Sequence, residues 1–219
     1  MTPSRLRVVL ASNNAGKLAE LRVLFAALSL ELVAQPELQL AEADEPHPTF
    51  IENALAKARH AARASGSAAL ADDSGLCVDA LGGAPGVISA HYAGMDAGIV
   101  RSAGGAREAQ RRAQDAANNA LLLERLHGTT QRRACFVCTL VALRAADDPQ
   151  PLVATGRWWG EIVERARGGG GFGYDPLLFV PALGATVAEL SREQKNAHSH
   201  RALACAQMLD LMRRDWALA

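Results

Sequence analysis

Aromatic side chains are scarce in this chain, at 5%, and its charges cancel, with 23 Lys plus Arg against 23 Asp plus Glu. Few aromatics argue against a stacking platform for long nucleic acids. A formal net charge of zero removes the global field that draws a protein to DNA, RNA or an anionic membrane. Any phosphate must then be held by a local arrangement of groups, and no nucleic-acid partner is expected. Long apolar runs are missing as well. Nothing approaches the roughly 18 to 20 consecutive apolar residues that span a bilayer. The run Val8-Val9-Leu10-Ala11 behind Arg5 and Arg7 is too short for a signal-peptide core. Cysteine is sparse, with four in 219 residues, as suits a reducing compartment where no disulfide is needed. The expectation is a cytoplasmic protein with no membrane partner. Cys135 and Cys138 do form a C-x-x-C, but inside the strand-like run Ala134-Cys135-Phe136-Val137-Cys138-Thr139-Leu140, where residues three apart point to opposite faces. A redox or zinc role would want a loop or a helix start, so both read as small buried strand residues.

Hydrophobic residues make up 49% and charged residues 21%, an ordinary globular balance. A length of 219 residues suffices for one large domain or one domain with two lobes. Apolar patterning predicts strands over residues 6–12, 31–34, 68–71, 133–143, 152–163 and 177–180. A further short element is predicted at 76–81, and a loop over the glycine-containing stretch 94–106. Helices are predicted over 17–28, from the capping box Thr49-Phe50-Ile51-Glu52 to about Ser65, and from the loop to about Leu126. A last helix runs from a second capping box, Ser191-Arg192-Glu193-Gln194, toward Trp216, with a break near Ser199. No repeat or linker divides the chain, so residues 1–219 read as a single domain. Strands alternating with helices, and a hairpin-like pair across Asp147-Asp148-Pro149, make this an α/β fold with mixed strand directions.

Several short stretches carry chemistry. The turn Ser12-Asn13-Asn14-Ala15-Gly16 leads into a helix with Lys17 at its start. Free amides and the positive end of the helix dipole suit a phosphate there. It is not a Walker A loop, since Ala11 stands where the first glycine would be and Leu18 replaces the magnesium-ligating hydroxyl. A capped surface turn with a solvated lysine has the same signature. Asp72 and Asp73 follow the 68–71 strand. Adjacent carboxylates repel unless a cation sits between them or one is protonated, and hard oxygen ligands in a loop suit Mg2+. The alternative is a solvated acidic turn in which Asp73 or Ser74 caps. Glu42, Asp44 and Glu45 form a second acidic cluster that could donate a ligand. Asn53 and Lys57 share a helix face, from which Lys57 could reach a phosphate or stay solvated. In Gly168-Gly169-Gly170-Gly171-Phe172-Gly173-Tyr174-Asp175-Pro176 an aromatic between glycines is poor core design but a good face for a base. A hairpin turn with a half-buried aromatic is the plainer reading. Lys195, His198, His200 and Arg201 lie on or near the last helix, and a His-Arg pair can donate several hydrogen bonds.

Taken in this order, the stretches resemble one family, the inosine triphosphate pyrophosphatases, also called dITP/XTP pyrophosphatases. The matching blocks are Leu10-Ala11-Ser12-Asn13-Asn14-Ala15-Gly16-Lys17 with Glu20-Leu21, then Thr49-Phe50-Ile51-Glu52-Asn53-Ala54 with Lys57-Ala58, then Ala71-Asp72-Asp73-Ser74-Gly75-Leu76. They continue with Leu81-Gly82-Gly83-Ala84-Pro85-Gly86, Gly171-Phe172-Gly173-Tyr174-Asp175-Pro176, and Lys195-Asn196-Ala197 with Ser199-His200-Arg201. The resemblance implies a two-lobed α/β fold around a long bent mixed β-sheet with flanking helices, an active site in the cleft between lobes, and a homodimer. It implies Mg2+-dependent hydrolysis of ITP, dITP and XTP to the monophosphate and pyrophosphate. By the same resemblance Ser12, Asn13, Asn14, Ala15, Gly16 and Lys17 hold the triphosphate, and Lys17 neutralises developing charge. Asp73 becomes the catalytic carboxylate and a magnesium ligand, with Asp72 and Ser74 beside it. Phe172 stacks on the base, while Gly173, Tyr174, Asp175, Lys195, His200 and Arg201 line a pocket whose donors favour a 6-keto purine.

Two departures stand out. Where the family has a pair of glutamates and a Thr-Gly step before the Thr-Phe helix start, this chain has Asp44-Glu45-Pro46-His47-Pro48, with Glu45 favoured over Asp44 as second metal ligand. Residues 99–115 look longer than the family's segment and are rich in Arg, Gly and Ala, and no functional residue is assigned to them. The related Maf-like pyrophosphatases, which prefer modified pyrimidine nucleotides, open with a Ser-x-Arg-Arg run where this chain has Asn13-Asn14-Ala15-Gly16-Lys17.

Overall fold

Val8, Val9 and Leu10 are all fully buried, which a strand achieves only when both of its faces are covered. They lie on β1 (Leu6–Leu10) in a computed structural model that describes residues 5–94 and 106–218. β1 pairs in parallel with β2 (Leu30–Ala34) and β3 (Ala68–Val78). Parallel neighbours need crossover connections, and α1 (Ala15–Leu24) and α2 (Phe50–Ser65) lie in them. β4 (Arg133–Leu143), β5 (Leu152–Ile162), β6 (Leu178–Val180) and β7 (Ala185–Thr186) complete a seven-stranded mixed sheet. Its order is β2-β1-β3-β4-β5-β6-β7, with β6 antiparallel to both neighbours. The remaining helices are α3 (Ala106–Arg125), α4 (Arg192–His198) and α5 (His200–Asp215).

The chain forms two compact units. The first takes residues 5–74, 137–157 and 196–218, and covers its part of the sheet on both faces. Val8, Leu10, Ala68, Leu70, Cys138 and Leu140 pack with Leu21 and Phe25 of α1 and with Ala204 and Met208 of α5. Val9, Ala11, Ala69, Ala71 and Val141 pack instead with Ala54, Ala58 and Ala61 of α2. The two sets alternate along β1, β3 and β4, as the period of two demands. α5 lies directly on β5 at Gly156, where a Cβ would run into the backbone of His200 and Ala204. The second unit takes residues 75–94, 106–136 and 158–195. Its own core includes Leu76, Val78, Leu122, Phe136, Trp158, Tyr174 and Leu177. Among the described residues no helix is long and apolar enough to cross a membrane.

Most element expectations hold to within a few residues, and the caps explain the boundaries. Asn14 starts α1 early because its side chain accepts from the Lys17 amide at 3.1 Å. Thr49 caps α2 by accepting from the Glu52 amide, and Gly66 ends it. Ser199 breaks the last helix in two by capping α5 at the Ala202 amide. The main correction is β3, which does not stop at Ala71 but runs on to Val78, followed by a 3₁₀ turn at Asp79–Leu81. Asp72 and Asp73 are therefore mid-strand residues rather than part of a loop. Of the 94–106 loop and the 99–115 segment, residues 95–105 lie outside the described residues, and α3 begins at Ala106. None of the four cysteines is in a disulfide, and Cys135 and Cys138 are both buried on β4.

Candidate active site

Strand parity sends the two adjacent aspartates in opposite directions. Asp72 shares its face of β3 with Ala68 and Leu70, the face covered by α1 and α5. Lys17 of α1 places Nζ 3.0 Å from Asp72 Oδ2, and Arg201 of α5 places Nε 3.8 Å from the same oxygen. Ser74 donates to that oxygen at 3.1 Å and accepts from Arg201 Nη2 at 3.2 Å, while a second arm of Arg201 pairs with Glu20. Burial pushes the Asp72 carboxyl up, but Lys17 and Arg201 outweigh it and hold the group well below the usual carboxylate range. Removing one partner from such a buried set costs about 3–5 kcal/mol, since the survivors are left uncompensated.

Asp73 shares the other face with Ala69 and Ala71, under α2. There Lys57 Nζ lies 3.1 Å from Asp73 Oδ1 and 3.0 Å from Glu45 Oε2, bridging the two carboxylates. Burial raises Asp73 to about 6, with Lys57 opposing the rise and Glu45 adding to it. Burial disfavours the Lys57 ammonium, but Asp73, Asp72 and Glu45 outweigh that and keep it charged. Glu45 is brought there by a backbone clamp. The buried Asn53 side chain of α2 accepts from the His47 amide at 3.0 Å and donates to the His47 carbonyl at 3.1 Å. Asp72 Oδ1 and Asp73 Oδ2 are buried acceptors with no hydrogen-bond donor among the described residues. Among the described residues no three acidic, His or Cys side chains gather into a ready-made metal site. On the α2 face, Asp73 and Glu45 supply hard oxygen donors of the kind a divalent cation takes.

The turn before α1 is ordered by its own side chains. Ser12 Oγ accepts from the Asn14 amide at 3.3 Å, and Asn13 is exposed. Lys17 is ion-paired rather than simply solvated.

In the second unit the glycine-rich stretch folds around Asp175. Its buried carboxylate accepts from the Phe172 amide at 2.9 Å and from Lys195 Nζ at 2.8 Å. Gly171 has φ +73°, and a Cβ there would collide with the Asp175 carboxylate, so only glycine fits on both counts. Phe172 is half-buried, with Lys195 Nζ 4.6 Å and the Arg111 guanidinium carbon 4.9 Å from its ring centroid. Tyr174, expected among the substrate contacts, has its side chain in the core. Its ring packs in the second unit's core and its hydroxyl donates to the Ser89 carbonyl at 2.8 Å, the turn over 171–177 carrying it inward while Phe172 stays half-buried.

Sequence reasoning placed Lys17, Asp72, Ser74 and Arg201 among the site residues, and the fold brings these four together. It also joins Asp73 to Glu45 through Lys57, and Phe172, Asp175 and Lys195 to one another. His200 is buried beside Arg201 at the start of α5, and His198 is exposed. Arg201, expected as a donor to a base, directs donors to Glu20 and Ser74 and faces Asp72. Glu20, and the bridging role of Lys57, were not anticipated. Both were within reach of periodicity: Glu20 lies one turn beyond Lys17, and Lys57 one turn beyond Asn53.

Known proteins resemble this chain in sequence and in fold. The sequence model of the Ham1 family matches residues 8–211. A dITP/XTP pyrophosphatase of Methylibium petroleiphilum is 67% identical over 96% of this chain and 99% of its own length. Another from Leptothrix cholodnii is 66% identical over 98% of this chain and all of its own length, 100%. Among solved structures, a HAM1 protein from Coxiella burnetii superposes with TM-score 0.83 at 41% identity, covering 94% of this chain and 98% of that one. The Staphylococcus aureus Ham1 protein gives 0.79 at 37% identity, covering 95% and 99%.

Proposed function

The chain belongs to the Ham1 family, and from that membership we propose that it hydrolyses the non-standard purine nucleoside triphosphates dITP, ITP and XTP. The products are the nucleoside monophosphate and pyrophosphate, so the enzyme removes these nucleotides from the cytoplasmic pool. The observation that carries the chemistry is the division of labour on β3. One aspartate is held ionised by Lys17 and Arg201, and its neighbour is buried with its pKa raised to about 6. A carboxylate poised near the working pH is what a general base requires.

Asp73 takes a proton from the water that splits the bond between the α and β phosphorus atoms. The turn Ser12-Asn13-Asn14-Ala15-Gly16 and the start of α1 hold the triphosphate, and Lys17 offsets charge as it develops. Arg201 and Ser74 keep Asp72, and with it Lys17, in place. Asp73 and Glu45 are the residues we assign to Mg2+. When bound, Mg2+ supplies positive charge to the phosphate oxygens. Glu45 is preferred to Asp44 because it is the one that reaches the Lys57 ammonium shared with Asp73. Phe172 is the stacking face for the base, with Gly173, Asp175 and Lys195 around it, and His200 completes the assignment. We take the chain as one domain, since β3, β4, β5 and α4 each contribute residues to both units, and as a homodimer.

Pyrophosphate release from ITP, XTP, dITP, GTP, ATP and a pyrimidine triphosphate, with and without Mg2+, tests the reading. Metal-dependent turnover of ITP, dITP and XTP, with GTP and ATP far behind, is expected. Turnover confined to the pyrimidine substrate, or none at all, overturns it.

A further inference from the structure

The glycines at 168–171 are exposed and leave the backbone around Phe172 little intrinsic preference. A ring on such a stretch is positioned only by what ties it down. Asp175 is one tether, local to the turn. Lys195 lies over the ring, the Gly170 amide donates to the Ala188 carbonyl at 3.0 Å, and three further contacts come from α3. Asp115 Oδ2 accepts from the Gly173 amide at 2.9 Å, Asn119 Nδ2 donates to the Gly173 carbonyl at 3.1 Å, and Arg111 stands over the Phe172 ring. Residues 111, 115 and 119 are each four apart and so form one stripe along the helix. Both polar groups of the Gly173 backbone are thus held by the same helix face whose first member touches the neighbouring ring.

The helix is itself anchored by an adjoining stripe. Asn118 donates to the Ser89 and Ala90 carbonyls and accepts from the Ala93 amide at 2.9 Å, and Gln114 donates to the Gly94 carbonyl at 3.1 Å. The Ser89 carbonyl also receives the Tyr174 hydroxyl. α3 therefore cannot shift without disturbing the 86–94 segment, and its outward stripe is a fixed reference for the glycine-rich turn.

Resting on the reading of Phe172 as the stacking face, we propose that Arg111, Asp115 and Asn119 of α3 are positioning residues that set the height and tilt of the Phe172 ring and so tune base recognition. They hold the turn that carries Phe172, so their effect is expected on binding through the base. Asp115→Ala removes the acceptor of the Gly173 amide, while Asp115→Asn keeps an oxygen in that place. Steady-state kinetics on ITP, with inhibition by inorganic tripolyphosphate as a probe of the phosphate end alone, separates the roles. Asp115→Ala is expected to raise KM for ITP roughly tenfold, as losing a charge-assisted bond implies, with kcat and tripolyphosphate inhibition little changed. Asp115→Asn should recover most of that loss, and Asn119→Ala should move KM in the same direction. Absence of ITP turnover by the unaltered enzyme overturns both this inference and the functional reading. An active enzyme in which neither Asp115→Ala nor Asn119→Ala moves KM overturns this inference alone. So does a rise in KM matched by an equal weakening of tripolyphosphate.

Discussion

An ordinary aspartate ionises near 3.9, whereas burial lifts Asp73 to about 6. The folded protein then holds that proton more tightly than the unfolded chain does. Asp73 accordingly favours folding below about pH 4, and loses that contribution as pH rises through 6. At neutral pH its buried charge is a cost. Asp73→Asn should abolish turnover and yet stabilise the metal-free protein at pH 7 by about 1–2 kcal/mol, with the gain shrinking at pH 5. Melting scans in EDTA at both pH values check this, and a variant less stable at pH 7 would contradict it. The same carboxylate predicts that kcat/KM falls on the acid side through a limb near pH 6. Raising Mg2+ should carry the limb to lower pH, because a nearby cation favours the ionised form.

At the scale of elements, the caps and periodicities visible in the sequence place most boundaries. The capping box at Thr49, the break at Ser199 and the extent of β4 follow from local residue pairs or from alternation. β3 did not follow, since two adjacent aspartates read locally as the end of a strand. They persist mid-strand because cations from α1 and α5 meet one face and a cation from α2 meets the other. Gly156 gives a test of how closely α5 is seated. A Cβ would meet the backbone of His200 and Ala204, neither of which can rotate aside. Gly156→Ala is expected to cost about 1–3 kcal/mol by overpacking, or roughly 2–4 °C in melting temperature per kcal/mol. It should also lower activity by displacing Arg201 from Asp72. A melting temperature equal to that of the unaltered protein would show that α5 has room to move.

Across the whole molecule, the sparse cysteines behave as composition suggests. Of the four thiols, Cys135, Cys138 and Cys205 are buried and only Cys77 is partly accessible. Burial pushes Cys138 up to about 12 and raises Cys205 as well, so neither is nucleophilic near neutrality. Titration with a thiol reagent should register one rapid reaction in the native protein and four after denaturation. Reducing agent should leave the melting curve unchanged. More than one rapid thiol would mean that the buried cysteines are reached through opening of the core.

What the sequence by itself determined was whatever depends on near neighbours or on ordered motifs. That covers the α/β alternation, the helix caps, the family resemblance, and the identity of Lys17, Asp73, Phe172 and Asp175 as residues to watch. Only the tertiary structure decided which partner each received. Strand alternation says that Asp72 and Asp73 face apart, but not that α1 and α5 cover one face and α2 the other. That assignment comes from packing, and it separates an aspartate held ionised from one with a raised pKa. Likewise Tyr174 and Phe172, two residues apart, differ in role because one finds the core and the Ser89 carbonyl while the other meets charged side chains. Electrostatic character depends on burial and on charges brought from distant parts of the chain, which local pattern does not encode.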